Sequence, residues 1–445
     1  NSVWTELGEA PLAGALRWVT EIAAKTIEAI AGNFSDMINA QNTWGWNVDY
    51  AAILALSSVV SQEDIEAVFS AIRSVYLPWM DRNARNLQKE INENGYPLHY
   101  KKHLYSQDEC VCFIDGLRFD LAKKLSENFK TSGMSVKEEI VWTPLPTVTA
   151  TCKPSLTPIT DMITGDDFNN QDFSPIIKTS GQPATSERIY NIMEDQGWTI
   201  LEDSKLGKLN HNGWYNFGRI DEEGHKLGWR IAPQVDNYIN DVQERVSNLF
   251  KAGWKTVKIV SDHGWLLMPG GLPKMQMPIS LTESKWGRCA AIKPGALFDG
   301  TCYPWYWNEN VHFALADGVC CYRNGIEYTH GGVSLQECLM LHLVLSENDE
   351  SHEIKEFLVT DIIWKKMRCR IAAEGNISGI KADIRTKPAM ADTSIVMGIK
   401  EFNEAGLVSV VVDDDAHEGK TAYIVLLDSN NKVIYRTTTV VGGGE

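Results

Sequence analysis

Six side chains of the metal-binding type and a group of threonines occur in a fixed order along this chain. They are Asp115 in IDGLRFD, the threonines of PTVTAT (Thr147, Thr149 and Thr151), Asp221 and His225 in DEEGH, Asp262 and His263 in SDHG, and His330 in HGG. Carboxylates and imidazoles can bind a pair of divalent cations, which stabilise the attacking and leaving oxygens of an in-line phosphoryl displacement. A hydroxyl beside such a pair becomes a usable nucleophile. The set therefore predicts phosphoryl-transfer chemistry at a two-metal site.

Each motif is weak on its own, because DH and HGG occur by chance in a chain of 445 residues. Asp115 could instead cap the helix that follows it, and Asp221 and His225 could belong to a solvated acidic turn. The glycines after His330 could simply form a turn, and each threonine could be an ordinary loop or cap residue. The joint order of the motifs favours the metal-site interpretation.

The elements that must position these residues follow an α/β pattern from about residue 108. CVCFID is a buried-strand run that stops at Asp115, and LRFDLAKKLSENF continues at helical spacing. EEIVWTPLP, WYNFGRID and WKTVKIVSDHG predict further strands that lead to Thr149, Asp221 and Asp262. VDNYINDVQERVSNLFKAG predicts an amphipathic helix before the last of these strands. The carboxyl ends of parallel strands share one edge of a sheet, where α/β proteins bind ligands, so we expect the candidate side chains to converge there.

Other segments complete the predicted architecture. SLQE at Ser334 to Glu337 has capping-box spacing, and the apolar run CLMLHLVLS after it is predicted to be a buried helix. LRWVTEIAAKTIEAIAGNF and DIEAVFSAIRSVYLPWMDRNARNLQKEI also have helical spacing, and NENGYP ends the second segment. From about Ile362 short alternating runs predict antiparallel strands, with a hairpin at DSNNK. We therefore predict a helical region over 1–100, an α/β domain over 101–358 and a β-sandwich-like domain over 359–445.

Composition limits the class of protein and its partners. The chain can bury a large core, because 44% of its residues are hydrophobic. A net charge of -16 argues against a broad nucleic-acid surface, so composition does not support DNA as a substrate. Nine cysteines without zinc-ribbon spacing predict reduced thiols in a cytoplasmic protein. No apolar run is long enough to span a bilayer, so we expect no membrane partner, and the start at Asn1 within a helical pattern fits a fragment of a longer chain.

The joint pattern resembles a known group of enzymes. The order Asp, Thr, D-x-x-x-H, D-H, H is similar to that of the alkaline phosphatase superfamily, and SDHGWLLMPGGLPK, KWGRCA, PWYWN and YTHGGVSLQEC resemble the PglZ family of BREX phage-defence systems, most closely its type B form. The resemblance runs from about Asp108 to the end of the chain and is densest over Ile259–Cys338. It implies an alkaline-phosphatase-like sheet, a metal-dependent phosphatase or phosphodiesterase, and a defence complex that includes a DNA methyltransferase.

The resemblance also implies roles for individual residues. It selects Thr149 as the nucleophile and divides the metal ligands into two groups: Asp115, Thr149, Asp262 and His263 around one ion, and Asp221, His225 and His330 around the other. Zn is favoured by the three histidines, while Mn or Mg could occupy the carboxylate-rich position. Attack by the threonine and hydrolysis of the phosphothreonine would be two in-line steps, which predict retention of configuration at phosphorus.

Several alternatives remain open from the sequence. Phosphomonoesterase, phosphodiesterase and nuclease activities share this apparatus. Cations that could hold a phosphate oxygen, or could be surface charges, are Arg118, Lys153 and Lys274. Aromatic residues that could contact a second ester arm, although core packing explains them better, are Trp286, Trp305 and Trp307. A non-catalytic metal-binding adaptor in a defence complex is the competing function, and a phosphomutase-like isomerase would use the same metal site.

Overall fold

The structure is a computed structural model that describes residues 10–98, 105–106, 108–166, 172–207, 212–282, 286–347, 357–375, 377–388, 390–403, 405–428 and 433–443. The chain divides into two compact units, Asn1–Glu347 and Asn348–Glu445. Asn1, residue 101 at the predicted start of the α/β domain, and residues 429–432 of the predicted hairpin turn lie outside the described residues.

The helices of the first unit are α1 (Pro11–Lys25), α2 (Phe34–Ala40), α3 (Trp46–Ser57), α4 (Gln62–Asn94), α5 (Phe119–Thr131), α6 (Thr149–Leu156), α7 (Ser186–Asp195), α8 (Arg219–Leu227), α9 (Val235–Lys251) and α10 (Leu335–Cys338). The predicted N-terminal helical region is confirmed, although its first segment is helical only to Lys25. The Ser61 side chain accepts a hydrogen bond from the Asp64 amide at the start of α4, and Gly95, with a φ of 80°, ends the helix. Within the described parts of the chain, no helix is both long enough and apolar enough to cross a bilayer.

The strands of the first unit are β1 (Glu109–Ile114), β2 (Ser135–Trp142), β3 (Ile163–Thr164), β4 (Ile176–Ile177), β5 (Thr199–Leu201), β6 (Gly213–Phe217), β7 (Thr256–Val260), β8 (Leu266–Leu267), β9 (Cys289–Ala291), β10 (Cys302–Trp305), β11 (Asn308–Leu315), β12 (Tyr328–Thr329) and β13 (Leu339–Ser346). Among the described residues the central sheet has the order β2-β13-β7-β1-β6-β5. Strand β1 is fully buried and pairs in parallel with β6 and β7. The predicted α/β fold is confirmed, with β13 as an antiparallel insertion between β2 and β7.

The prediction of a buried helix over CLMLHLVLS is wrong. The capping box produces only the short helix α10, where the Ser334 hydroxyl accepts a hydrogen bond from the Glu337 amide. The run from Leu339 to Ser346 then pairs with β2 along its whole length, and its second half, from Leu343, also pairs with β7. A continuous apolar run has no periodicity that separates a buried strand from a buried helix, so the available sheet partners decide its conformation.

The antiparallel direction of β13 has a direct effect on the loops. Leu339, the first residue of β13, pairs with Trp142, the last residue of β2. The loop that enters β13 therefore lies at the same edge of the sheet as the loop that leaves β2. These are the loops that carry His330 and Thr149, so the strand brings the two motifs to one place. Helix α5 packs on β2 and β13, and α9 packs on β7 and α5.

The second unit consists of antiparallel β structure. Its strands are β14 (Phe357–Lys365), β15 (Arg368–Gly375), β16 (Lys381–Arg385), β17 (Lys400–Glu401), β18 (Leu407–Val411), β19 (Thr421–Leu427) and β20 (Val433–Val440). They form the sheets β14-β15-β18 and β17-β16-β19-β20, which share one apolar core that includes Ile371 and Ile424. The predicted antiparallel β region is confirmed, and β19 pairs with β20 on the two sides of the predicted hairpin turn.

Candidate active site

Three aspartates lie beyond the carboxyl ends of three neighbouring strands. Asp115 follows β1 directly, Asp262 follows β7, and Asp221 lies in the first turn of α8 after β6. The prediction that the strand WYNFGRID ends at Asp221 is wrong, because β6 ends at Phe217 and Asp221 belongs to the helix. Asp221 and His225 thus take the helical i, i+4 arrangement, which puts both side chains on one face of α8.

His263 is fully buried between Thr149 and two of the aspartates. Its Nδ1 atom lies 3.1 Å from the Gly264 carbonyl oxygen, which fits an Nδ1–H donor and leaves a lone pair on Nε2. The Nε2 atom lies 3.0 Å from the Thr149 hydroxyl oxygen. It is also 3.7 Å from Asp115 Oδ1 and 3.7 Å from Asp262 Oδ2. The unprotonated Nε2 atom of His263 is therefore directed at the centre of the cluster.

His330 has the same arrangement on the other side. Its Nδ1 atom lies 2.9 Å from the Thr147 carbonyl oxygen, and its Nε2 atom is 3.5 Å from Asp221 Oδ1. His225 completes this side, with its Nε2 atom 3.0 Å from His330 Nε2 and 3.5 Å from Asp221 Oδ2. The His330 and His263 rings stack with centroids 3.9 Å apart. All six metal-type side chains and Thr149 are thus brought together.

The ligand atoms form two overlapping groups. Those of Asp115, Asp262 and His263 lie within 4.8 Å of one another, as do those of Asp221, His263 and His330. The division implied by the resemblance assigned His263 to one ion only, whereas here His263 belongs to both groups. His225 differs from the other ligands because 45% of its side chain is exposed.

The described residues of the protein leave part of the cluster without hydrogen bonds. Asp115 Oδ1 and Asp262 Oδ2 are buried and have no hydrogen-bond partner among the described residues. Burial, together with the nearby charges of Asp262 and Asp221, raises the pKa of Asp115 well above its usual range, and Lys153 opposes this effect. Buried carboxylates without partners are costly, and oxygen and imidazole donors at this spacing suit divalent cations. The residues therefore fit a metal centre.

The histidines differ in their electrostatic environment. Burial lowers the pKa of His263 and of His225, which favours the neutral imidazole that a metal ligand requires. Burial acts in the same direction on His330, but the Asp221 carboxylate outweighs it and raises the pKa of His330. Burial also raises the pKa of Asp221, but the adjacent His330, His263 and His225 rings outweigh it and hold that pKa well below its usual range.

Thr149 is the threonine of PTVTAT that faces the cluster. It is the first residue of α6 and is partly exposed. The Thr147 hydroxyl is buried, donates to the Gly332 carbonyl and accepts from the Gly331 amide. The Thr151 hydroxyl is also buried and accepts from Trp305 Nε1. Two of the three hydroxyls thus hold the local fold together, and only the third lies beside His263 Nε2.

The three candidate cations have different surroundings. Lys153 is on the helix that begins at Thr149, and its Nζ atom donates to Asn216 Oδ1 at 3.0 Å. Arg118 is buried, pairs with Asp120 and lies over the Trp265 ring. Lys274 is exposed. Of the three, Lys153 is the one that neighbours Thr149.

The tryptophans also separate into two kinds. Trp305 and Trp307 are buried, and their Nε1 atoms donate to the Thr151 hydroxyl and carbonyl oxygens at 3.0 Å and 2.9 Å. They therefore support α6 from within the core. Trp286 is partly exposed, and its ring centroid lies 5.7 Å from that of His330.

Some supporting residues were missed by the sequence analysis. The Tyr328 hydroxyl donates to Asp221 Oδ1 at 2.9 Å, and the only signal for this was its position beside His330 in YTHGG. Glu337 accepts a hydrogen bond from the Gly332 amide at 2.8 Å and forms a fully buried ion pair with Arg288. Nothing in the sequence indicated that pairing, because the partners are 49 positions apart.

Comparisons with known proteins add only a weak likeness. No family model matches the chain, and no characterised protein matches it by sequence. The murine ectonucleotide pyrophosphatase/phosphodiesterase 5 structure has a TM-score of 0.38 and 14% identity over 53% of this chain and 87% of that chain. An inactive variant of it in complex with AMP has a TM-score of 0.36 and 13% identity over 54% and 88%, and the human protein has 0.38 and 13% over 53% and 87%. Likeness at this level supports no conclusion about family or activity.

Proposed function

We propose that this chain is a metal-dependent phosphoric ester hydrolase with Thr149 as its nucleophile. The observation that carries the proposal is the 3.0 Å distance between the Thr149 hydroxyl oxygen and His263 Nε2, since that nitrogen belongs to both groups of candidate ligand atoms. A hydroxyl held against a buried cluster of metal-type donors is the arrangement that nucleophilic catalysis at phosphorus requires.

Two divalent cations would be held by Asp115, Asp221, His225, Asp262, His263 and His330. When bound, such ions supply Lewis-acid charge for phosphoryl oxygens and lower the pKa of neighbouring hydroxyl groups. Three imidazoles favour Zn, and the carboxylate-rich group of Asp115 and Asp262 also suits Mn or Mg. Hydrogen bonds at Nδ1 orient two of the rings. His263 Nδ1 bonds to the Gly264 carbonyl, and His330 Nδ1 bonds to the Thr147 carbonyl.

The proposed reaction has two displacement steps at phosphorus. Thr149 loses its hydroxyl proton and forms a bond to phosphorus, while the bond from phosphorus to the leaving oxygen breaks and that oxygen takes up a proton. Water then attacks the phosphothreonine and releases the threonine hydroxyl together with the phosphate product. Each step inverts phosphorus, so configuration is retained overall.

In its cellular setting, we infer that the chain is a PglZ-type component of a BREX phage-defence system, with partners that include a DNA methyltransferase. This inference is supported by the motifs from Ile259 to Cys338. DNA is then a candidate diester substrate. The nine cysteines form no disulfide bond, which fits the reducing cytoplasm where such a system would act.

The test compares wild type with Thr149→Ala and Thr149→Ser after replenishment with Zn²⁺, Mn²⁺ or Mg²⁺. The substrates are p-nitrophenyl phosphate, bis(p-nitrophenyl) phosphate and linear DNA. We expect hydrolysis by wild type, a loss of at least about a thousandfold in Thr149→Ala, and partial activity in Thr149→Ser because the hydroxyl is kept. Metal content measured on the same preparations should be equal in all three proteins.

The two competing functions give different results in this test. Metal binding without hydrolysis of any ester would contradict the hydrolase and favour the metal-binding adaptor. Equal hydrolysis by wild type and Thr149→Ala would remove the threonine from its role while leaving a metal-dependent hydrolase.

A further inference from the structure

A cavity of about 220 Å³ opens beside Thr149. One wall is the start of α6, including Thr149, Lys153 and Pro154. The opposite wall consists of Pro175 and Pro183 together with the first residues of α7. Since a water molecule takes up about 30 Å³ in the liquid, the cavity has room for a group of roughly the size of a phosphate with a short linker.

Among the described residues that line this cavity, Lys153 is the charged one. Its ammonium donates to Asn216 Oδ1 and lies over the Phe113 ring at 4.7 Å and the Tyr190 ring at 5.5 Å from the centroids. Tyr190 in turn donates to Asn216 Oδ1 at 3.3 Å. The amide and the two rings thus define where the ammonium lies, and an ammonium with three donors can bind a further acceptor.

The cavity differs in charge from the chain as a whole. The chain carries a net charge of -16, yet none of the described residues that line the cavity is acidic. Its other polar lining groups are the hydroxyls of Thr149, Ser174, Thr185 and Ser186. A lysine and several hydroxyls with no carboxylate provide donors for an anion and little repulsion against one.

The position of the cavity determines which part of a substrate it can reach. It starts at the nucleophile, whereas in-line displacement directs the leaving oxygen away from the nucleophile. A group that enters the cavity is therefore a substituent that stays on phosphorus after the first step. A phosphomonoester has no such substituent, while a phosphodiester has one.

We propose that this cavity, here called the Lys153 cavity, binds the retained arm of a phosphodiester, and that Lys153 selects arms carrying a further anionic group such as a second phosphate. The proposal rests on the proposed hydrolase function and defines the substrate class of the same site. A phosphodiester whose retained arm bears phosphate a few bonds from the reacting phosphorus is the chemistry that fits.

The experiment measures the binding of two phosphonates that cannot be hydrolysed. Propane-1,3-diphosphonate carries a second anionic group on its arm, and propylphosphonate lacks it. Dissociation constants are measured by calorimetry on Zn²⁺-replenished wild type, Lys153→Met, Lys153→Arg and Lys178→Met. Lys178 is the matched control because it is an exposed lysine that donates to the Asp161 carbonyl and does not line the cavity.

We expect wild type to prefer the diphosphonate by at least about tenfold, the effect of one hydrogen bond between charged groups. Lys153→Met should abolish the preference, while Lys153→Arg and Lys178→Met should keep it. A preference that survives in Lys153→Met, or no preference in wild type, would overturn the proposal. Lys153→Arg guards against a folding defect in Lys153→Met, because it keeps the charge at the same position.

This test also distinguishes the anion site at Lys153 from the hydrolase activity of Thr149. A preference that depends on Lys153, in a protein that hydrolyses none of the three test esters, would preserve the anion site and refute the hydrolase. Hydrolysis that depends on Thr149 without any preference for the diphosphonate would preserve the hydrolase and refute the role of Lys153.

Discussion

Two groups of buried charges in the first unit are built in opposite ways. In the aspartate–histidine cluster of Asp115, Asp221, His225, Asp262, His263 and His330, two buried carboxylate oxygens have no hydrogen-bond partner among the described residues. In the pair of Arg288 and Glu337, both side chains are fully buried and richly bonded. Arg288 also donates to the carbonyls of Ala316, Cys320 and Gly318, and Glu337 accepts from Ser334 and Gly332.

The difference separates a structural ion pair from a ligand site. The Arg288–Glu337 pair offsets the cost of its burial with internal partners, so it needs nothing from outside. The aspartate–histidine cluster leaves two buried carboxylate oxygens without hydrogen bonds from the described residues, so a cation from outside would stabilise it. The two are joined through the Gly332 amide, and the self-sufficient pair thereby supports the loop that carries His330.

The largest effect is expected from Glu337→Gln. This substitution leaves the buried Arg288 guanidinium without its counter-charge and should lower the free energy of unfolding by about 3–5 kcal/mol. Urea denaturation measures the change, with Lys89→Met as the control. Lys89 forms an exposed pair with Glu93, and its loss should cost less than about 1 kcal/mol. Equal effects of the two substitutions would contradict the distinction between them.

A smaller effect is expected from Thr147→Val. Thr147 lies in the loop before α6 and its hydroxyl is bonded to the loop that carries His330. The substitution removes the hydrogen bonds from the Thr147 hydroxyl to Gly332 and from Gly331 to that hydroxyl. We expect a loss of about 1–3 kcal/mol in the free energy of unfolding, and a metal affinity lower by roughly tenfold to a hundredfold. Thr147→Ser keeps the hydroxyl and should retain most of both, as competition with a chelator can measure. If Ser is as damaging as Val, the methyl group of Thr147 holds the loop as strongly as its hydrogen bonds do, which would contradict the expectation.

Asp115→Asn should change the free energy of unfolding of the protein in opposite directions with and without metal. In protein stripped with EDTA it removes a carboxyl whose ionisation is disfavoured by burial and by the charges of Asp262 and Asp221, and it should raise the free energy of unfolding. With metal present it removes a ligand and should lower the free energy of unfolding. Thermal melts under both conditions test this, with Asp120→Asn as the control that destabilises under both because Asp120 pairs with Arg118. A loss of stability for Asp115→Asn in EDTA would show that the cluster is balanced without metal.

The smallest effect is expected at an ion-pair network of intermediate exposure on β2. Burial would raise the pKa of Glu138, but hydrogen bonds from Lys123, Lys130 and Ser126 lower it from 4.5 to about 2. A depressed pKa stabilises the fold above the unfolded-state value, and this contribution is lost as pH falls from about 4.5 towards 2. Because Lys130 is half-exposed and water screens its charge, we expect Glu138→Gln to lower the free energy of unfolding by less than about 1 kcal/mol at pH 7 and to make no difference below about pH 2. A difference from wild type that grows as the pH falls would contradict this sign.

Much of the first unit could be predicted from local sequence. The runs before Asp115 and Asp262 are short and apolar and end at polar residues, and the structure has β1 and β7 there. The run over Leu339–Ser346 was misassigned because its conformation depends on two partner strands that are distant in sequence. Local capping signals describe how a helix begins but not how far it continues, and α10 ends after one turn.

The candidate site was likewise predictable where local sequence decides and unpredictable where distant contacts decide. Residue types and their order indicated which side chains meet, because Asp115 and Asp262 follow strands of the sheet and Thr149, Asp221 and His225 lie on helices that come after strands. The sequence could not distinguish the three threonine hydroxyls, because their roles depend on contacts with Gly332, Trp305 and His263, which come from other parts of the chain. The Arg288–Glu337 pair was not predicted, because its two residues also come from different parts of the chain.

His225 differs from the other five members of the aspartate–histidine cluster in being half-exposed, while His263 and His330 are buried. An ion that relies on His225 would have a ligand that bulk water reaches, whereas one held by Asp115, Asp262 and His263 would have ligands that are mostly or fully buried. The two ions would therefore exchange at different rates, and a brief encounter with a chelator would remove one before the other. The activity of a preparation would then depend on its handling, and a half-loaded protein would be a long-lived species with properties of its own.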